Sequence, residues 1–169
     1  RMLDTASMPD HAQPKPEARN SAAATFADRV IDFYLHGERP QISTPGFSIM
    51  DPFRQEPVIQ LVTAFARKMY GDWNKRLFVL GINPGRFGGG VTGSPFTDPW
   101  AMRECCGIES TVTGKRELSA EFVYAFIEQF GGAEAFYRHC FLTAVLPFGL
   151  LRDGKNVNYY DDRALLMEL

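Results

Sequence analysis

Leu77-Phe78-Val79-Leu80-Gly81-Ile82, running directly into Asn83-Pro84-Gly85-Arg86-Phe87-Gly88-Gly89-Gly90, decides the fold of this 169-residue chain. The apolar run follows charged Lys75-Arg76 and stops at a Gly/Pro loop. Its brevity and its glycine boundary predict a strand buried on both faces. Cys140 to Leu146 predicts a second strand of the same kind. Helical patterns lie between and around the two. Thr25, with Asp28 in the first turn, predicts an N-cap, with Phe26, Val30, Phe33 and Tyr34 on one helical face and Gly37 as the stop. Residues 38–55 read as loop. Pro57 to Tyr70 predicts a helix with Val58, Leu61, Val62, Phe65 and Met69 as its buried stripe, ended by Gly71. After the loop over 83–97, Asp98-Pro99 predicts an N-cap and first-turn proline for a helix with Trp100, Ala101 and Met102.

Ser119 opens a further predicted helix, with Phe122, Val123, Phe126, Ile127 and Phe130 on its apolar side and Gly131-Gly132 at its end; a short helix around Phe136 follows. Residues 147–158 read as loop with a turn at Asp153-Gly154, and a last helix starts near Asp161 or Asp162. This order gives an α/β layer pattern with a parallel pair joined by a helical crossover. Residues 1–22, rich in Ala, Pro, Ser and charge without an apolar period, are expected to be a disordered lead-in. The chain starts at Arg1 and stops at Leu169 inside an apparent amphipathic helix, and two strands are few for an open sheet, so a fragment is expected.

Bulk composition narrows the function. Hydrophobic content of 45% with 22% charged residues is ordinary for a globular protein, and no run approaches eighteen apolar residues. No secretory pattern opens the chain, and a bacterial cytoplasmic protein is expected. A net charge of −2 argues against coating nucleic acid by bulk charge but leaves room for a basic rim around a cleft. Cys105, Cys106 and Cys140 do not form a disulfide framework, and reduced, partly buried thiols are expected. His11, His36 and His139 are too scattered to suggest metal ligation, so no metal or other cofactor is expected.

Ligands of open α/β folds bind beyond the carboxyl ends of the strands, which is where the loop after Ile82 lies. Its glycine density allows close backbone approach to a ligand. It is not a Walker A loop, since no Gly-Lys-Ser/Thr follows, and Gly88-Gly89-Gly90 has the wrong frame for a dinucleotide fingerprint. Asn83 carries an uncharged amide able to hold a water or fix a base, but it is no strong general base. An Asx-turn before Pro84 would also explain it. Phe96, behind Thr92-Gly93-Ser94-Pro95, offers either a stacking face for a base or a core plug.

Gly81-Ile82-Asn83-Pro84-Gly85-Arg86-Phe87-Gly88 with Thr92-Gly93-Ser94-Pro95-Phe96 resembles the first active-site motif of the uracil-DNA glycosylase superfamily, in its single-strand-selective monofunctional branch. Arg86-Phe87-Gly88 and Phe96-Thr97-Asp98-Pro99 are similar to the second, bacterial group of that branch. A weaker resemblance runs from Phe26 through Tyr160 and includes Gly154-Lys155-Asn156-Val157-Asn158-Tyr159-Tyr160. The resemblance implies a three-layer α/β/α fold with a short parallel sheet, incomplete in this chain, as one C-terminally truncated domain over 23–169. It implies a monomeric, metal-free DNA-repair hydrolase that flips uracil, with deaminated purines as a further substrate class, out of DNA and breaks the bond from base to deoxyribose, acting at the bacterial nucleoid. Asn83 would position the attacking water. Ile82, Pro84, Gly85, Phe87, Gly88 and Phe96 would bind the base, with Phe96 stacking on it. Arg86 and Lys155 would meet the DNA backbone, with Arg103, Lys115, Arg116 and Arg152 as further candidates.

Two departures from the family pattern stand out. Where relatives carry an Asn that reads the pairing edge of the base, this chain has Ala144, with Thr143 beside it as an alternative hydroxyl contact. The family's C-terminal His-Pro motif is not in the sequence, and His139, with no following proline, is no substitute, so this length of chain is expected to be nearly inactive alone. Two other readings stay open: a catalytically inactive nucleic-acid or base-binding module, and a nucleotide-binding protein using the glycine loop for phosphate.

Overall fold

The structure is a computed structural model, and it describes residues 23–169; the lead-in expected over 1–22 lies outside the described residues. The elements in order are α1 (Phe26–His36), β1 (Phe47–Met50), a 3-10 turn (Pro52–Arg54), α2 (Glu56–Tyr70), β2 (Leu77–Gly81), α3 (Gly89–Thr92), α4 (Pro99–Glu104), α5 (Leu118–Phe130), α6 (Ala133–His139), β3 (Cys140–Ala144), β4 (Gly149–Arg152), β5 (Lys155–Asn156) and α7 (Arg163–Glu168). The two expected strands pair in parallel, with Leu77 opposite Cys140 and Gly81 opposite Ala144. The loop after β2 and the loop after β3 therefore leave the sheet at the same end. That coincidence creates the site.

Local chemistry explains the helices. Thr25 and Asp28 form a reciprocal capping box, which satisfies two of the backbone donors that a helix start leaves unpaired. Asp98 caps α4 through the Ala101 N–H at 2.7 Å, ahead of Pro99 in the first turn. The whole predicted stripe of α2 is buried, and Leu61, Val62, Phe65 and Met69 pack with Tyr34, Tyr70 and Tyr137 in the main core. Burying each such aliphatic or aromatic side chain contributes about 1.5–3 kcal/mol. The buried Arg76 fixes the entry to β2: its guanidinium pairs with Asp72 at 2.9 Å, donates to the Tyr137 carbonyl at 2.7 Å and lies over the Phe26 and Tyr70 rings.

Four expectations are corrected. Residues 38–55 and 147–158 are not only loop: β1 pairs antiparallel with β4, and β4 with β5, the hairpin turning at Asp153-Gly154. Strands of four and two residues carry too little period to be read alone, and the partner of Met50 is Gly149, 99 positions away in the chain. β3 is buried throughout, but β2 is not, with Leu77 69% and Leu80 60% exposed. Among the described residues only one edge of β2 is paired, so half of its environment is open. On α5 the buried residues are Ala120, Tyr124 and Ile127, while Phe122, Phe126 and Phe130 face outward. Helical period cannot choose between two apolar faces, and here the core side is the one whose tyrosine hydroxyl finds buried partners. On α1, Val30 and Tyr34 face the core, but Phe33 is 52% exposed, Ala27 taking the place next to them.

Candidate active site

A cavity of about 330 Å³ opens where β2 and β3 end. Ile82, Asn83, Pro84, Gly85, Phe96 and Ala144, from the residues expected to bind a base or act on it, all line it. Phe87, Gly88 and Thr143 do not. Phe87 lies outside, with the Arg86 guanidinium 4.7 Å and the Lys115 ammonium 5.7 Å from its ring centre. Thr143 points to the opposite side of β3, where its hydroxyl meets Tyr34 Oη at 3.0 Å. Burial pushes the Tyr34 phenol up to about 12, so it stays protonated and able to donate to Thr143. Ala144 thus enters the cavity wall with only a methyl group.

The amide of Asn83 is oriented by the β5 hairpin. Its Nδ2 donates to the Val157 carbonyl at 3.1 Å, and its Oδ1 accepts from the Tyr159 N–H at 3.3 Å. These two bonds define which amide atom is which and leave one N–H and one oxygen lone pair for a ligand or water. The segment 156–158 also supplies Asn156, Val157 and Asn158 to the cavity wall. None of these three was singled out from sequence as a site residue. The resemblance across Gly154 to Tyr160 was the available signal.

Phe96 is held in an unusual backbone state, with φ of 55°. A non-glycine residue there costs about 1–3 kcal/mol, and such strain persists only when neighbours over-determine it. Those neighbours are buried on both sides. Thr92 Oγ1 donates to the Thr97 carbonyl at 2.6 Å, and Thr97 Oγ1 meets the Tyr124 hydroxyl at 3.1 Å. Tyr124 in turn meets Tyr137 Oη and Cys106 Sγ. Asp98 holds Arg116 and the Glu117 N–H through Oδ2. The ring of Phe96 lies directly over Gly81: a Cβ added there would sit 2.4 Å from Cζ. Glycine at the end of β2 is therefore what admits the ring to the cavity.

Glu117, just before α5, was not foreseen. Its carboxyl seats on the glycine loop: a Cβ at Gly85 would lie 2.1 Å from Oε1, and one at Gly88 would lie 1.5 Å from Oε2. The two glycines make room for a carboxyl group, where the sequence suggested only backbone closing over a base. Burial pushes the Glu117 carboxyl above the ordinary range; a hydrogen bond with Ser119 pulls it back, and the nearby Asp98 charge adds to the rise. Of the two residues expected at the DNA backbone, Arg86 is latched to the hairpin by the Gly154 carbonyl, and its N–H donates to Asn156 Oδ1 at 3.1 Å. Lys155 is exposed on β5. Arg86 is thus tied to the hairpin, and Lys155 belongs to it, whose Asn156 lines the cavity.

Comparison with known proteins adds an independent line. The chain is similar to the crystal structure of wild-type Pedobacter heparinus SMUG2, at 41% identity and a TM-score of 0.80, over 85% of this chain and 64% of that one. It is 27% identical to the rat single-strand selective monofunctional uracil-DNA glycosylase, over 90% of this chain and 60% of the relative. Fold and sequence place this chain beside the single-strand-selective monofunctional uracil-DNA glycosylases. The bovine glycosylase of the same description is 30% identical over 106 residues, 52% of this chain and 39% of the relative. The chain thus spans between about two fifths and two thirds of the length of these glycosylases. No family model matches. The likeness to SMUG2 supports the α/β fold with its short parallel sheet, and the cavity lies at the strand ends that this fold brings together.

Proposed function

We propose that the protein is a monofunctional DNA glycosylase that hydrolyses the N-glycosidic bond of uracil, and of deaminated purines, after flipping the base out of the strand. One observation carries this: Asn83, with its amide oriented by two backbone bonds, and Phe96, held at positive φ, face a single cavity of base size at the ends of the parallel strands. A target atom inside a stacked duplex cannot be reached, so a base must leave the stack to enter such a cavity. Phe96 stacks on the flipped base. Asn83 positions the attacking water with its remaining N–H and lone pair. Backbone N–H groups of the 82–85 turn are the donors best placed for the negative charge that grows on the leaving base. Ala144 gives the base no polar contact, which fits tolerance of more than one deaminated base. Arg86 and Lys155 hold the DNA backbone at the cavity mouth. Residues 23–169 act as one domain, and the protein works on DNA as a monomer.

The phosphate-cradle reading loses its footing here, because the Glu117 carboxyl occupies the glycine seat and would repel a phosphate. The test is a panel of single- and double-stranded oligonucleotides, each with one uracil, hypoxanthine or xanthine. With the intact protein, free base and an alkali-labile abasic site are expected from uracil, without strand cleavage before alkali. Binding without base release would reduce the protein to a recognition module.

A further inference from the structure

Glu117 is the one ionisable side chain among the described residues that line the cavity. The reaction proposed above has a gap that this residue fits. Asn83 can orient a water, but an amide has no useful affinity for the proton that water must lose. We propose that Glu117 is a catalytic residue, the acceptor of that proton; this rests on the glycosylase reading of the same cavity. The water oxygen bonds to C1′ of the sugar, the C1′–N bond breaks with its electron pair leaving on the base, and the proton of the water passes to a Glu117 carboxylate oxygen. From there it returns to solvent or to the departing base, so no other reactant is required.

The placement is built by the fold. Asp98, fully buried, accepts the Glu117 N–H at 3.0 Å and pairs with Arg116 at 3.1 Å, which aims residue 117 at the cavity. Gly85 and Gly88 form the seat for the carboxyl group, and Gly85 is only two residues from Asn83. The groups that set its proton affinity are known on each side. Asp98 at the start of α4 raises it, Ser119 on α5 lowers it through a hydrogen bond, and burial raises it most. On the hairpin the neighbour is neutral Asn156, its Nδ2 3.2 Å from the Cβ position of Gly85, while the charged residues next in sequence to the seat and to Asn156 are Arg86, bonded to the Gly154 carbonyl, and exposed Lys155. A carboxylate raised within an otherwise uncharged cavity is a fitting general base, and such groups contribute typically about 10²–10⁴-fold.

The test is the pH dependence of single-turnover uracil release by the intact protein and its Glu117→Gln and Glu117→Ala variants. The wild type should lose rate on the acid side, as Glu117 takes up its proton. Glu117→Gln should be slower by about a hundredfold or more and should lose that acid limb. Added formate should restore part of the rate to Glu117→Ala and none to Glu117→Gln, a response that a loop-supporting role would not give. Unchanged affinity for an uncleavable 2′-fluorinated deoxyuridine strand would show that both variants keep the folded site. A Glu117→Gln rate within about threefold of wild type, with the acid limb intact, overturns the inference and leaves the glycosylase reading standing. Absence of base release by the wild type itself overturns that reading and this inference together.

Discussion

Replacing Gly81 by alanine tests whether Phe96 is a rigid stacking face. The new methyl carbon would lie 2.4 Å from Cζ and 2.8 Å from Cε2 of Phe96. Carbon atoms rest at about 3.5–4.0 Å, so the ring must withdraw by more than about 1 Å. Its backbone cannot follow, because Thr97 and Asp98 are fully buried and bonded on both sides. The ring must turn instead. Overpacking of this kind costs about 1–3 kcal/mol of stability. Losing the stacking face costs up to a further ~1–3 kcal/mol in binding, which is about five- to 150-fold in affinity. Urea denaturation reads the first effect, and titration with a strand carrying 2′-fluorinated deoxyuridine reads the second. In a Phe96→Ala background the same Gly81→Ala change should be nearly neutral for stability, since the clash is gone. A Gly81→Ala protein that binds and unfolds like wild type would refute the close seating of ring on glycine, as would an equal stability cost in both backgrounds.

Gly88→Ala should destabilise by about 1 kcal/mol through its clash with Glu117, and most of that cost should vanish in a Glu117→Ala background; additive losses in urea melts would mean the carboxyl is not seated there. Arg86→Ala should weaken DNA binding and flatten the slope of log affinity against log salt by about 0.7, one phosphate contact on a single strand; an unchanged slope assigns Arg86 to the hairpin alone. Glu168 accepts hydrogen bonds from the Ser43 and Thr44 hydroxyls and N–H groups, and the Ser43 hydroxyl foremost holds its carboxyl down at about 2. A depressed carboxyl stabilises above its unfolded value of about 4.5, and the contribution is lost as pH falls toward 2. Amide exchange in α7 should therefore quicken over that window in wild type and show no such dependence in Glu168→Gln.

The parallel pair and the loop between its strand ends were legible because they are local: a six-residue apolar run, its glycine boundary and the Asp98-Pro99 cap are contiguous signals. The β1–β4–β5 sheet was not legible, because its strands are short and Phe47 finds its partner at Arg152. The same distance hid part of the site. Asn83 and Phe96 announce themselves within one loop, but the backbone groups that orient Asn83 come from Val157 and Tyr159. Glu117 reads in sequence as one more charge in a polar stretch. Only the packing of α5 against Asp98 shows that its carboxyl fills the space left by two glycines. Thr143 shows the limit of strand reading from the other direction, since period two says that Thr143 and Ala144 face opposite sides but not which side holds the cavity.

The most direct measurement is single-turnover release of uracil from a single-stranded oligonucleotide by the intact protein and its Asn83→Ala variant, with binding of the uncleavable strand measured alongside. The expected result is efficient release by the wild type, a loss of about a hundredfold or more in Asn83→Ala, and affinities that agree within about tenfold despite the lost bonds to Val157 and Tyr159. Equal release rates for the two proteins would contradict it.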